Sequence, residues 1–167
     1  EKLNVLLVSS AASDQELNLQ PLSRKEQKAV LKGLEVARGR GDIFLAQLEE
    51  PTLAELRSYL TEHPGDKAPH VIHFDGHGLF GQRCPNSECG AMNGGTKSRR
   101  CRKCETELPL PQGYLVFEDE DGDADYISAQ ELGTLLQQSG LRDGNSKTDG
   151  VVLVVLSACQ SGMAIVG

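Results

Sequence analysis

The sequence predicts an α/β fold around a mostly parallel sheet, and three observations carry that expectation. Short strand-like runs recur at Leu3–Val8, Asp42–Leu48 and His70–Asp75. Helical patterns lie between them, giving strand–helix–strand–helix–strand, the order of right-handed βαβ units. Near the end, Val151-Val152-Leu153-Val154-Val155-Leu156 is a run of apolar, mostly β-branched residues, which reads as a strand buried on both faces of such a sheet.

Each element has a local reason. Leu3–Val8 ends at the polar pair Ser9-Ser10. From Pro21 to Arg38, Leu22, Ala29, Val30, Leu34 and Ala37 fall near helical spacing, and Gly39 and Gly41 stop that helix. Asp42–Leu48 alternates enough for a second strand. Thr52-Leu53-Ala54-Glu55 is a capping-box pattern that opens a helix ending near His63-Pro64-Gly65. The third strand, His70–Asp75, runs into Gly76-His77-Gly78, where two glycines are expected to turn the chain. Tyr114–Phe117 and Tyr126-Ile127 flank an acidic turn as a hairpin. Ser128-Ala129-Gln130-Glu131 is a second capping box, opening a helix to about Gln138. A polar loop, Gly140–Asp149, then leads into the last strand, which is expected to stop at Ser157-Ala158-Cys159. No internal repeat is present.

Composition narrows the function classes. The 167 residues are one domain's worth of chain, 38% hydrophobic and poor in aromatics. No apolar run approaches the roughly 20 residues of a membrane span, and no secretory signal opens the chain. The chain begins at Glu1 with a strand following at once, so it is expected to be an excerpt of a longer protein. A net charge of −7 argues against nucleic acid as a general partner. Five cysteines, four crowded together and one alone in an apolar strand, make a poor disulfide framework. Metal binding plus a free thiol accounts for them, in a reducing, cytoplasmic setting.

The crowded four lie in residues 82–107, a stretch rich in Gly, Ser, Lys and Arg that reads as an inserted knuckle. Four residues separate Cys84 from Cys89, eleven separate Cys89 from Cys101, and two separate Cys101 from Cys104. Tetrahedral zinc takes four thiolates, and short-spaced cysteine pairs on two turns supply them. A module this small cannot bury a core, so the metal would supply its folding energy. Four thiolates leave no open position, so the expected zinc is structural. Six cations against three glutamates leave this stretch at +3 and the remainder of the chain at −10. Those cations either offset the four-thiolate charge or offer a contact for nucleic acid or an acidic protein face. The acidic turn imitates a calcium loop, with Asp119, Asp121 and Asp123 at its first, third and fifth positions. Ala124 then falls where the turn glycine belongs and Gln130 where the closing glutamate belongs, so a solvated turn is expected.

His63 and His70 read as surface residues. His73, Asp75 and His77 alternate along one strand end, which invites a metal-hydrolase ligand set, H-x-D-x-H. The competing reading pairs His77 with Cys159. By itself Cys159 reads equally as a buried packing residue. With a histidine at the carboxyl edge of a neighbouring strand it becomes a competent nucleophile, since an imidazole in reach lowers the thiol pKa or takes its proton. The N–H groups of Gly78 and Cys159 would form an oxyanion hole.

Two blocks carry a family resemblance. Val71-Ile72-His73-Phe74-Asp75-Gly76-His77-Gly78 and Val155-Leu156-Ser157-Ala158-Cys159-Gln160-Ser161-Gly162 resemble the active-site blocks of the CHAT peptidases, bacterial members of the caspase, gingipain and separase clan. Tyr114–Phe117 through Ile127–Leu132 resembles the intervening hairpin and helix, and Glu49-Glu50-Pro51-Thr52 is similar too. The likeness spans nearly the whole chain, 1–167, with the knuckle as an insertion after the histidine loop. It implies a caspase-like α/β/α sandwich and a cysteine endopeptidase, with Cys159 as nucleophile, His77 as general base and acid, and Gly78 and Cys159 at the oxyanion. His73 takes a supporting place and Asp75 shapes or charges the cleft. Members are commonly joined to repeat or sensor domains, which implies a switched, defence-linked protease acting on a protein substrate. The family fold continues past the cysteine, so the chain is expected to be incomplete at its C-terminus and inactive or weak alone. The alternatives are an idle recognition module acting through the basic knuckle, an acyltransferase or ligase on the same dyad, and the metal hydrolase.

Overall fold

A computed structural model describes residues 2–22, 24–95, 97–138, 151 and 153–159. Strands β1 (Leu3–Ser9), β2 (Ile43–Gln47), β3 (Val71–Arg83) and β7 (Leu153–Cys159) form a parallel half-sheet. Strands β4 (Met92–Gly94), β5 (Gln112–Glu118) and β6 (Ala124–Ser128) add an antiparallel half to the upper part of β3. Helices α1 (Arg24–Gly39), α2 (Leu53–Glu62) and α3 (Ala129–Gln138) cover the faces. The expected α/β fold is present, and the sheet expected to be mostly parallel is parallel in one half and antiparallel in the other.

Period-two alternation explains how the strands divide their apolar residues. Leu6, Val8, Ile72 and Phe74 face one layer, with Leu56 and Leu60 of α2 and Leu135 and Leu136 of α3. Val5, Leu7 and Ile43 face the other, against Val30, Leu31, Leu34 and Ala37 of α1. Buried on both sides, β1 must be apolar at consecutive positions, which is why it reads as an unbroken run. Of the apolar positions expected in α1, Ala29 is exposed and Leu31 packs inward instead.

The helix ends follow their local sequence. Gly41 stands at φ +77 beyond α1, its N–H on the Arg38 carbonyl while the Asp42 N–H reaches the Ala37 carbonyl. That double closure is a Schellman stop, and it needs a residue free to enter the left-handed region. Ser128 and Glu131 make the reciprocal capping box in full: the Ser128 N–H and hydroxyl both donate to the Glu131 carboxylate, and the Glu131 N–H donates to Ser128 Oγ. At α2 only half of the box forms. Thr52 Oγ1 accepts from the Glu55 N–H at 3.0 Å, but the Thr52 N–H is taken by the Glu50 carbonyl. The acidic turn is a hairpin loop, in which Asp119 Oδ1 accepts from the Asp121 and Asp123 N–H groups.

Two expectations are corrected. The chain does not turn at Gly76-His77-Gly78, and β3 continues straight through to Arg83. Where β1 leaves the edge of β3 after Asp75, β5 takes up pairing from His77 onward, so the ladder has no gap in which to turn. The final strand also differs. It runs on through Ser157 to Cys159 and, among the described residues, pairs with β3 alone. Leu153 and Leu156 are therefore 52% and 54% exposed, not buried. The polar loop Gly140–Asp149, the Gln160-Ser161-Gly162 part of the second block and the stretch to Gly167 lie outside the described residues.

The knuckle grows directly out of the sheet. Gln82 and Arg83 are the last residues of β3, and Met92–Gly94 pairs back onto them. A Cβ on Gly81 would lie 2.5 Å from the Asn93 carbonyl oxygen, so this close join requires glycine. Among the described residues, the knuckle's own apolar cluster is Cys84, Cys101 and Leu108, with Cys89 and Ala91 beside them.

Candidate active site and metal site

The register of β3 and β7 brings the two halves of the proposed dyad together. Val71 pairs with Leu153, and six steps later His77 pairs with Cys159. Neighbouring strands lie roughly 4.8 Å apart, so the two residues stand side by side at the carboxyl end of β7. The side chain of Cys159 lies outside the described part. His77 is only 3% exposed. Its Nε2 donates to the backbone carbonyl of Gln20, in the loop after β1. A carbonyl can only accept, so this contact places the ring hydrogen on Nε2 and leaves Nδ1 as the basic nitrogen.

Gln20 is a residue of the candidate site that the sequence did not disclose. Its contribution is a main-chain oxygen, which any residue carries, so no side-chain pattern could have marked it. What delivers it is the fold of the loop: Asp14 and Leu19 exchange both backbone hydrogen bonds, at 3.0 and 2.8 Å.

The other expected residues are placed less simply. His73 and Asp75 precede His77 at alternate positions of β3 and line a small cavity with Leu7, Ser9, Gln47 and, from α1, Val30 and Leu31. Asp75 is 6% exposed, and its carbonyl accepts the Ser10 N–H. The Nδ1 of His73 is buried and finds no hydrogen-bond partner among the described residues. Among the described residues, only the four cysteines gather as a metal-ligand group, so the H-x-D-x-H set is not assembled.

The expected oxyanion donors face the ladder. The Leu153 N–H donates to the His70 carbonyl. Carried up the register in steps of two, that phase turns the Cys159 N–H toward the Gly76 carbonyl and the Gly78 N–H toward the Cys159 carbonyl.

The cysteine cluster fits a tetrahedral ion. Its four sulfurs all lie within 4.8 Å of one another, with Cys84 to Cys104 at 3.4 Å and Cys89 to Cys101 at 3.8 Å. Four thiolates at about 2.3 Å from one centre sit about 3.8 Å apart, which matches this spread. Without an ion the thiols differ sharply. Chiefly the Lys103 N–H holds Cys101 down to about 6, whereas burial pushes Cys84 up to about 12. A bound cation would override that difference and deprotonate all four.

With the fold and both sites in place, the relationship is direct. The chain matches the CHAT domain family over residues 2–166 and belongs to it. That family is related to the caspase-like cysteine proteases. No curated protein matches the chain. Among the described residues no helix is long and apolar enough to cross a membrane.

Proposed function

We propose that this protein is a cysteine endopeptidase in which His77 and Cys159 form the catalytic dyad. The observation that carries the reading is their register pairing on adjacent parallel strands, with His77 oriented by the Gln20 carbonyl. In the first step Nδ1 of His77 takes the thiol proton and the Cys159 sulfur attacks the substrate carbonyl carbon. The imidazolium then gives that proton to the departing amine, leaving an acyl-enzyme. Water, deprotonated by His77, attacks the thioester and releases the acid, and the proton returns to the thiolate. The Gln20 carbonyl keeps the ring in one tautomer and stabilises the imidazolium. Gly78 and Cys159 remain the oxyanion donors that the family resemblance implies, and His73 and Asp75 would shape the cleft beneath.

The knuckle ion is zinc in this reading, because four thiolates in a tetrahedron suit a soft divalent ion without redox chemistry. Cys84, Cys89, Cys101 and Cys104 hold it, and it acts on folding, not on substrate. Residues 82–107 are then an insertion in a protease domain, cytoplasmic because its cysteines suit a metal rather than a disulfide framework, and controlled by attached sensor or repeat regions. An idle recognition module is the second reading, and the observation favouring it is the exposure of Lys97, Arg99 and Arg100 on the knuckle. Nucleic acid or an acidic protein face would be its partner.

Covalent labelling with electrophilic peptide probes tests the proposal, comparing the full-length protein with Cys159→Ala and His77→Ala. Label should vanish in the first and fall at least tenfold in the second. Wild-type labelling confined to the knuckle cysteines would replace the protease with the recognition module.

A further inference from the structure

The loop that presents the Gln20 carbonyl is gripped by the metal knuckle. It leaves β1 with the Ser10 N–H on the Asp75 carbonyl and the Ala11 N–H on Glu118 Oε1. It is then pinched between Asp14 and Leu19, with the Leu17 N–H on Asp14 Oδ1 and Asn18 at φ +56. Leu19 is buried among Leu79, Met92, Tyr114, Val116 and Tyr126, and the Tyr126 hydroxyl donates to Asp14 Oδ2. At the tip of the pinch stands Glu16. Its carboxylate takes Arg102 at 3.1 Å and Lys103 at 3.3 Å. Those two cations fill the interval between the ligands Cys101 and Cys104. Arg102 also donates its N–H to Asn93 Oδ1 and its guanidinium to the Met92 carbonyl, both on β4.

We infer that Glu16 is a positioning residue for His77, carrying the state of the four-cysteine metal site to the imidazole through the Gln20 carbonyl. The inference rests on the dyad reading for its consequence in catalysis, but its physical content is the orientation of the His77 ring. Without an ion the knuckle's own apolar cluster, among the described residues, is Cys84, Cys101 and Leu108, too little to hold a turn in place. Losing that turn removes both cations from Glu16 and takes Met92 from behind Leu19. Gln20, one residue further on, is then no longer fixed against Nε2. Both ring tautomers become populated, and fewer molecules carry Nδ1 as base. The chain of contacts is continuous, and the two-state element it biases is the presence or absence of the folded knuckle.

The Glu16 ion pairs are exposed, and such pairs shift an equilibrium by roughly two- to fivefold. Glu16→Gln in the metal-loaded protein should therefore raise the minor His77 tautomer by about that factor, and Glu16→Lys, which repels both cations, by more. Nitrogen-15 imidazole spectra of the full chain read the tautomer directly, with the His77 signals assigned by His77→Ala. Stripping with a chelator should give the largest change, and adding Zn²⁺ alone should reverse it. Unchanged His77 signals after stripping would overturn the inference. Should stripping unfold the whole domain, the metal-loaded variants decide: the same tautomer ratio in Glu16→Gln, Glu16→Lys and wild type would equally overturn it. Responsive His77 signals with no labelling of Cys159 would support the inference while removing the dyad reading.

Discussion

Gly76, one residue before His77, gives a sharp test of how tightly the site's strand is packed. A Cβ on Gly76 would lie 2.5 Å from Cε1 and Cζ of Phe74, two positions earlier on the same face of β3. Carbon atoms rest at about 3.5–4.0 Å, so the ring would have to retreat by about 1 Å. Its room to do so is small: Phe74 is buried, its ring centroid lies 4.9 Å from that of the tilted Phe117 ring, and a small apolar cavity lined by Val8, Leu56, Ile72 and Leu136 can take up part of the shift. Overpacking of this kind costs about 1–3 kcal/mol. For a domain of this size each kcal/mol moves Tm by roughly 2–4 °C, so Gly76→Ala should melt some 2–12 °C below wild type. The assay is a double-mutant cycle by guanidinium and thermal unfolding. Phe74→Leu alone should destabilise by leaving a void, but in the Gly76→Ala background it should cost less, or even restore stability, because it removes the atoms in conflict. Additive losses, or a Gly76→Ala protein within about 0.5 kcal/mol of wild type, would refute this account of the strand.

Two other outcomes follow from the helix ends and the hairpin. Glu131→Ala removes the carboxylate that accepts from both the Ser128 N–H and hydroxyl, leaving only the residue-131 N–H on Ser128 Oγ, and should destabilise by about 1 kcal/mol in chemical unfolding. Glu55→Ala should cost clearly less, because the Thr52 N–H is already satisfied by the Glu50 carbonyl. Burial raises the Asp125 carboxyl above its ordinary range, partly opposed by the charge of Arg83. A carboxyl raised in the folded state holds its proton more tightly there. Its contribution to stability is complete below the unfolded pKa of roughly 3.9 and is lost as pH rises through the higher folded value. Asp125→Asn should therefore be more stable than wild type at neutral pH, and the gap should close on acidification. A gap that widens toward low pH would contradict that sign.

Local chemistry was legible in advance. Ser128 and Glu131 announce their helix because a capping box is closed within four residues, and the Gly41 stop is likewise a matter of neighbouring backbone. The cysteine spacings announced a four-ligand cluster because two short turns suffice to gather it. Non-local pairing was not legible. Gly76 and Gly78 resemble a turn because glycine permits one, but an antiparallel partner about 40 residues downstream arrives at His77 and keeps the strand extended. The apolar run from Val151 resembles a central strand by composition, yet burial is set by neighbours, and β7 pairs with β3 alone among the described residues.

The functional site divides along the same line. The proposed pairing of a histidine with a cysteine on parallel strands, and the CHAT family itself, were readable from the two blocks, since strand order and residue type are written along the chain. The tertiary structure decided the register that sets His77 opposite Cys159. It also chose which backbone carbonyl orients the imidazole and joined the metal knuckle to that carbonyl through Glu16. Those are contacts of main-chain atoms and of residues tens of positions apart. Their energies depend on distances that exist only once the sheet has closed.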